Sequence, residues 1–166
     1  GNTFTGGASD PNIALLRIKN NYNSIAHVVS SNIFNYNDWA VSLENMNSIT
    51  LNGNTFSSST ANAHAVVVNT KSITSNSATI VQVAVGATMT NNNFNGIGTA
   101  ITFQNHDNVG ASFGTFTIGS AGNENNFAST LTSFMAFDGQ TGVSNLASFP
   151  NYVAILGGAT AANPLT

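Results

Sequence analysis

Ser48-Ile49-Thr50-Leu51-Asn52-Gly53-Asn54-Thr55-Phe56 is the stretch that decides the fold. Its closing Asn-x-Phe triplet recurs as Asn2-Thr3-Phe4, Asn32-Ile33-Phe34, Asn92-Asn93-Phe94 and Asn125-Asn126-Phe127. Successive phenylalanines of the five copies lie 30, 22, 38 and 33 residues apart. Self-similarity at a period of about 20–50 residues marks a solenoid or array, in which each unit buries its apolar face against its neighbours.

Outward from each triplet the chain repeats one plan. A polar turn follows, then a short apolar strand: Ile13 to Ile18, Trp39 to Leu43, Ala63 to Val68, Ala100 to Phe103 and Ser133 to Phe137. Val41 and Leu43, Ile101 and Phe103, and Phe134 and Ala136 sit seven and nine positions after their phenylalanine. Period-two spacing puts each such pair on one strand face. Longer turns delay Leu16 and Ile18 in the first repeat, and Val66 and Val68 in the third. A second strand then leads into the next triplet: Ile25 to Val29, Ile49 to Leu51, the run from Ala78 to Val85, and Phe113 to Ile118. Tyr152 to Leu156 forms a last such strand. No apolar spacing of 3–4 residues is sustained, and Asn, Ser, Thr and Gly are poor helix formers, so no helix is expected.

Short strands joined by polar turns predict an all-β chain wound as a parallel β-solenoid of about five coils, one domain over residues 1–166. Phe4, Phe34, Phe56, Phe94 and Phe127 would stack as a ladder in a narrow core, each burial worth about 1.5–3 kcal/mol. Asn2, Asn32, Asn54, Asn92 and Asn125 would occupy a corner, where asparagine tolerates left-handed backbone angles and can bond its counterpart in the next coil. The alternative is a β-sandwich or jelly roll with Asn-rich turns.

The Asn-x-Phe triplets after Ile/Val-rich strands resemble the right-handed parallel β-helix repeats of the pectate-lyase-like superfamily, over nearly the whole chain. The 22-residue step from Phe34 to Phe56 is close to one coil of that family without an insertion. The resemblance implies a fold and hardly an activity, because the family holds lyases, hydrolases, phage tailspikes and non-catalytic surface proteins.

Composition narrows the functions. The chain is 42% hydrophobic with eleven phenylalanines, enough to bury a core, but only 5% charged against a usual ~25%. Arg17, Lys19 and Lys71 are the only Lys or Arg residues, and the net charge is −3. Nucleic-acid binding needs clustered cations and is excluded, as is attraction to anionic lipid. No apolar run approaches the ~18 residues of a membrane span. The absence of cysteine excludes disulfides and thiolate metal sites.

Chemistry has few candidates. The six acids are Asp10, Asp38, Glu44, Asp107, Glu124 and Asp138. Polysaccharide hydrolases need paired carboxylates. Glu44 and Asp107 follow equivalent strands and are the pair that stacking could bring together. The others read as turn residues. His27, His64 and His106 fall at different positions of their repeats, so they read as structural, and neither a metal nor a cofactor is expected. Among the aromatics, Trp39 and Tyr36 lie in or beside the turn after a triplet and are candidate glycan contacts, with Tyr22 and Tyr152 further aromatic candidates. Thr115-Phe116-Thr117 is one unit of the array an ice-binding surface requires, without in-register repetition.

The expectation is therefore a non-catalytic, extracellular or cell-surface β-solenoid module of a surface protein, adhesin or filament. Gly1-Asn2-Thr3-Phe4 starts within a repeat and the chain closes on Gly157-Gly158 and Pro164. It therefore reads as an excerpt or processed part of a longer chain. Adjoining coils of that chain, or head-to-tail copies of this one, would cover the end coils. The alternatives are a polysaccharide lyase, hydrolase or tailspike fragment, and a carbohydrate-binding module.

Overall fold

The computed structural model describes residues 1–6, 14–19, 26–44, 46, 48–69, 85–105 and 113–139. Among these residues there are strands and turns but no helix, as the β-branched and amide-rich sequence dictates. The strands come in threes. The first triple is β1 (Thr3–Thr5), β2 (Ala14–Lys19) and β3 (His27–Ser30). The second is β4 (Ile33–Asn35), β5 (Trp39–Glu44) and β6 (Ile49–Asn52). The third is β7 (Thr55–Ser58), β8 (His64–Asn69) and β9 (Val85–Thr90). The fourth is β10 (Asn93–Gly96), β11 (Thr99–Asn105) and β12 (Phe113–Ile118), after which come β13 (Asn126–Phe127) and β14 (Ser133–Gly139).

Like members of successive triples pair side by side. Sheet A has the order β1-β4-β7-β10-β13, sheet B the order β14-β11-β8-β5-β2, and sheet C the order β12-β9-β6-β3. Every pairing among the described residues is parallel. A sandwich or jelly roll is built from antiparallel strands, so the alternative reading does not hold. The chain visits sheets A, B and C in turn and returns one strand further along, an arrangement compatible with a β-solenoid.

The core lies between the three sheets. Sheet A contributes the phenylalanines of the triplets. Sheet B contributes the columns Val41–Val66–Ile101 and Leu43–Val68–Phe103, and sheet C the column Val29–Leu51–Met89–Ile118. Phe103 meets Phe116 edge-on across the core, with ring centroids 5.1 Å apart. Both faces of β5 and most of β8 are buried; β8 accordingly reads as a continuous apolar run from Ala65 to Val68, while β5 buries the polar Ser42 and Glu44 on its second face.

Three local expectations are corrected. In the last repeat Met135 and Phe137, not Phe134 and Ala136, stand opposite Ile101 and Phe103. The turn that precedes them, closed by the Leu131 N–H on the Ala128 carbonyl, is one residue longer than its predecessor, and a one-residue slip changes the strand face. Phe134 still packs on Phe127, at 5.5 Å between centroids. In the third repeat the strand that completes sheet C is Val85–Thr90, after the apolar run from Ala78. Residues 78–84 lie outside the described residues. Finally, the left-handed residue at the corner is not the triplet asparagine but the one before it: Ser31 (φ 56°), Gly53 (φ 66°) and Asn91 (φ 56°).

Candidate functional site

Moving the left-handed bend one residue upstream turns each triplet asparagine inward, and this builds a continuous amide column. Asn54 Oδ1 accepts from the Asn32 backbone N–H at 3.0 Å and from Asn32 Nδ2 at 3.2 Å. Asn92 Oδ1 accepts the same two bonds from Asn54, both at 3.0 Å. Asn125 Oδ1 takes them from Asn92 at 2.9 and 3.0 Å, and Asn32 Oδ1 takes them from Asn2 at 2.9 and 3.4 Å. The second Nδ2 protons of Asn54 and Asn92, and one Nδ2 proton of Asn125, go to the carbonyls of Val29, Leu51 and Met89. Every buried polar group of this column has a partner, which is what makes burial of an amide tolerable.

Two residues on, the rings form a second column. Phe4, Phe34, Phe56, Phe94 and Phe127 stack at centroid distances of 4.9, 5.1, 5.0 and 5.0 Å with interplanar angles of 6–8°. The spacing is that of parallel strands, about 4.8 Å. Phe34, Phe56, Phe94 and Phe127 are essentially inaccessible, while Phe4 on the outermost strand is half-buried.

The residue after each phenylalanine faces the other way. Thr5, Asn35, Ser57 and Asn95 are aligned by the strand register of sheet A, and they border an open groove of about 540 Å³. Gly6, Tyr36, Ser58 and Gly96 border it on the side of the turns towards sheet B. Gly96 has φ 117°, and a Cβ there would collide with the Ser58 carbonyl oxygen, so this part of the wall stays low. Among the described residues no charged side chain lines the groove. The side chains of Asn35, Ser57 and Asn95 make no hydrogen bond among the described residues, in contrast to the bonded amides of the inner column. Sequence reading passed over this row. The signal was present, because the position after the triplet phenylalanine is Thr, Asn, Ser or Asn in the first four copies.

The candidate glycan contacts are placed otherwise than expected. Tyr36 is 3% exposed and Trp39 8% exposed, so neither presents an open ring face. Tyr36 belongs to the hydrophobic core beneath the groove, and burial pushes its phenol well above the ordinary tyrosine range. Trp39 packs against His64 with ring centroids 6.4 Å apart and near-perpendicular planes. The physical reason is the tight turn Asn35 to Asp38, which carries the chain straight from sheet A into β5. Tyr22 and Tyr152 lie outside the described residues.

Among the described residues, Arg17, Glu44, His64 and Glu124 are engaged within the chain. Glu44, buried at the end of β5, accepts from Arg17 Nε at 2.6 Å and from Arg17 Nη2 at 2.5 Å. His64 Nδ1 is 2.7 Å from Thr102 Oγ1, and the His64 N–H donates to the Asp38 carbonyl at 2.7 Å. Glu124, in a surface turn, accepts from the Gly122 N–H at 2.8 Å, which holds its carboxyl below the usual range. Asp10, Lys71, His106 and Asp107 lie outside the described residues, and with them the expected pairing of Glu44 and Asp107. Among the described residues no group of three or more His, Asp and Glu side chains could hold a metal ion.

Comparison with known proteins gives no matching family model, no matching curated protein and no matching solved structure.

Proposed function

We propose that the chain is a non-catalytic structural and adhesive β-solenoid module, wound as a right-handed parallel β-helix, that works outside the cell and associates with copies of itself through its end coil. The observation that carries this reading is the pair of ladders. Amide and ring columns run in register from Phe127 to Phe4 on β1, the outermost strand of sheet A among the described residues. Thr3 and Thr5 of β1 are exposed, and Phe4 is shielded on one face by Phe34. An open strand edge is a template for a further strand. A second copy that adds its own coil there would extend both ladders by one step. The right-handed sense follows the strong preference of parallel strand–crossover–strand connections. The engagement of Glu44 with Arg17, and of His64 with Thr102, supports a structural rather than a chemical use of the charged groups.

Light scattering and electron micrographs of the purified chain over a range of concentrations test this. The expected outcome is concentration-dependent end-to-end association, abolished by Thr5→Pro. The Gly6 N–H already donates to the Asn35 carbonyl, so the adjacent Thr5 N–H points to the free side of β1, and proline removes it without touching the β4 ladder. A chain that stays monomeric at every concentration refutes self-association.

A further inference from the structure

We infer that the groove beside sheet A is a binding site for an uncharged glycan chain lying along the stacking axis. Three observations converge on that ligand class. The groove of about 540 Å³ is concave and of the size that holds small ligands. Its edge carries Thr5, Asn35, Ser57 and Asn95 at matching register positions of four adjacent strands. These offer a donor or acceptor at every strand step of about 4.8 Å, over a span of about 14 Å. A pyranose unit advances a polysaccharide by a comparable length, so consecutive sugars meet consecutive coils in the same way.

The third observation is the contrast in hydrogen bonding. Asn54 and Asn92 of the inner column use both amide protons and the carbonyl oxygen, whereas the side chains of Asn35, Ser57 and Asn95 are free of intramolecular bonds among the described residues. Amides and hydroxyls both donate and accept, and they match sugar hydroxyls, which do the same. Among the described residues nothing in the lining can neutralise a uronate, sulfate or phosphate, which favours a neutral glycan over an acidic one. Exposed Ile33, at 45% accessibility on the same face two residues before Asn35, adds an apolar surface for the C–H face of a ring. The site does not rely on the buried rings of Tyr36 and Trp39, and it is independent of whether the chain self-associates.

The test is affinity electrophoresis of the whole chain in gels containing hydroxyethylcellulose, xyloglucan, galactomannan or dextran, with polygalacturonate and heparin as charged probes. The expected result is retardation by at least one neutral polymer and by neither charged one. Asn35→Ala/Asn95→Ala should weaken it by about ten-fold, as loss of two hydrogen-bonding side chains implies. Ser57→Tyr, which fills the middle of the groove, should abolish it. Both variants change outward-facing positions, and an unchanged urea midpoint shows that they are folded. No retardation by any neutral polymer, retardation by the charged polymers alone, or retardation unaltered in both variants overturns the assignment.

Discussion

Replacing Asn54 by alanine removes the middle rung of the amide column. Four bonds are lost: those from Asn32 N and Asn32 Nδ2 at 3.0 and 3.2 Å, and those to Val29 O and Asn92 Oδ1 at 2.8 and 3.0 Å. Asn92 Oδ1 keeps the Asn54 backbone N–H at 3.0 Å, so its loss is partial. The Asn32 backbone N–H and the Val29 carbonyl lose these partners in a buried setting. At about 1–3 kcal/mol for each orphaned group, Asn54→Ala should cost about 4 kcal/mol. Asn2→Ala is the internal control. It sits at the open end, and its side chain contributes a single long bond of 3.4 Å to Asn32 Oδ1, so its removal should cost about 0.5 kcal/mol. Urea unfolding followed by far-ultraviolet circular dichroism, and by fluorescence of Trp39, the single tryptophan, measures both. Equal losses in the two variants, or a loss under about 1 kcal/mol for Asn54→Ala, would refute a column whose bonds cooperate along the axis.

The ring column gives a parallel expectation. Phe56→Ala should destabilise by about 3–5 kcal/mol in the same titration, and the half-buried Phe4 by markedly less; a Phe56→Ala loss below about 1 kcal/mol would remove Phe56 from the ladder. The buried Tyr36 phenol predicts an alkaline effect. Its pKa is raised in the folded chain above the unfolded value of about 10.0, so its stabilisation is full below that pH and falls as pH rises beyond it. Tyr36→Phe should therefore flatten the alkaline limb of the stability profile, and an unchanged limb would show that the phenol is not shielded from water.

The repeat, the strand class and the residues of both columns were legible because one triplet recurs and its period-two neighbours alternate. The parts that were not legible each have a physical cause. Gly86-Ala87-Thr88 carries little apolar signal, so β9 was overshadowed by the more hydrophobic run before it. The slip at Phe134 follows from one extra turn residue, which changes no composition. The exposure of Trp39 and Tyr36 was misjudged because a turn position usually implies solvent, whereas Tyr36 joins the core and Trp39 opens β5 and packs on His64. Most of the groove was missed for the opposite reason. Thr5, Asn35, Ser57 and Asn95 look like ordinary turn polarity until the register shows that they form one row.

In-register stacking also accounts for the low charge of the chain. Equivalent side chains on neighbouring parallel strands are about 4.8 Å apart. Two like charges at that distance repel by about 1 kcal/mol in water and several times more where water is partly excluded, at every step of the column. An amide or hydroxyl has no such conflict, since it donates on one side and accepts on the other. The sheet B column Lys19–Glu44–Asn69–Gln104–Asp138 shows the rule at work, because its adjacent charges Lys19 and Glu44 are opposite and two amides separate Glu44 from Asp138. Sparse charge is thus imposed by the architecture and by itself says nothing about a partner. What distinguishes the groove is not that it is neutral but that the side chains of Asn35, Ser57 and Asn95 are unpaired among the described residues, and the substitutions at those positions read that property directly.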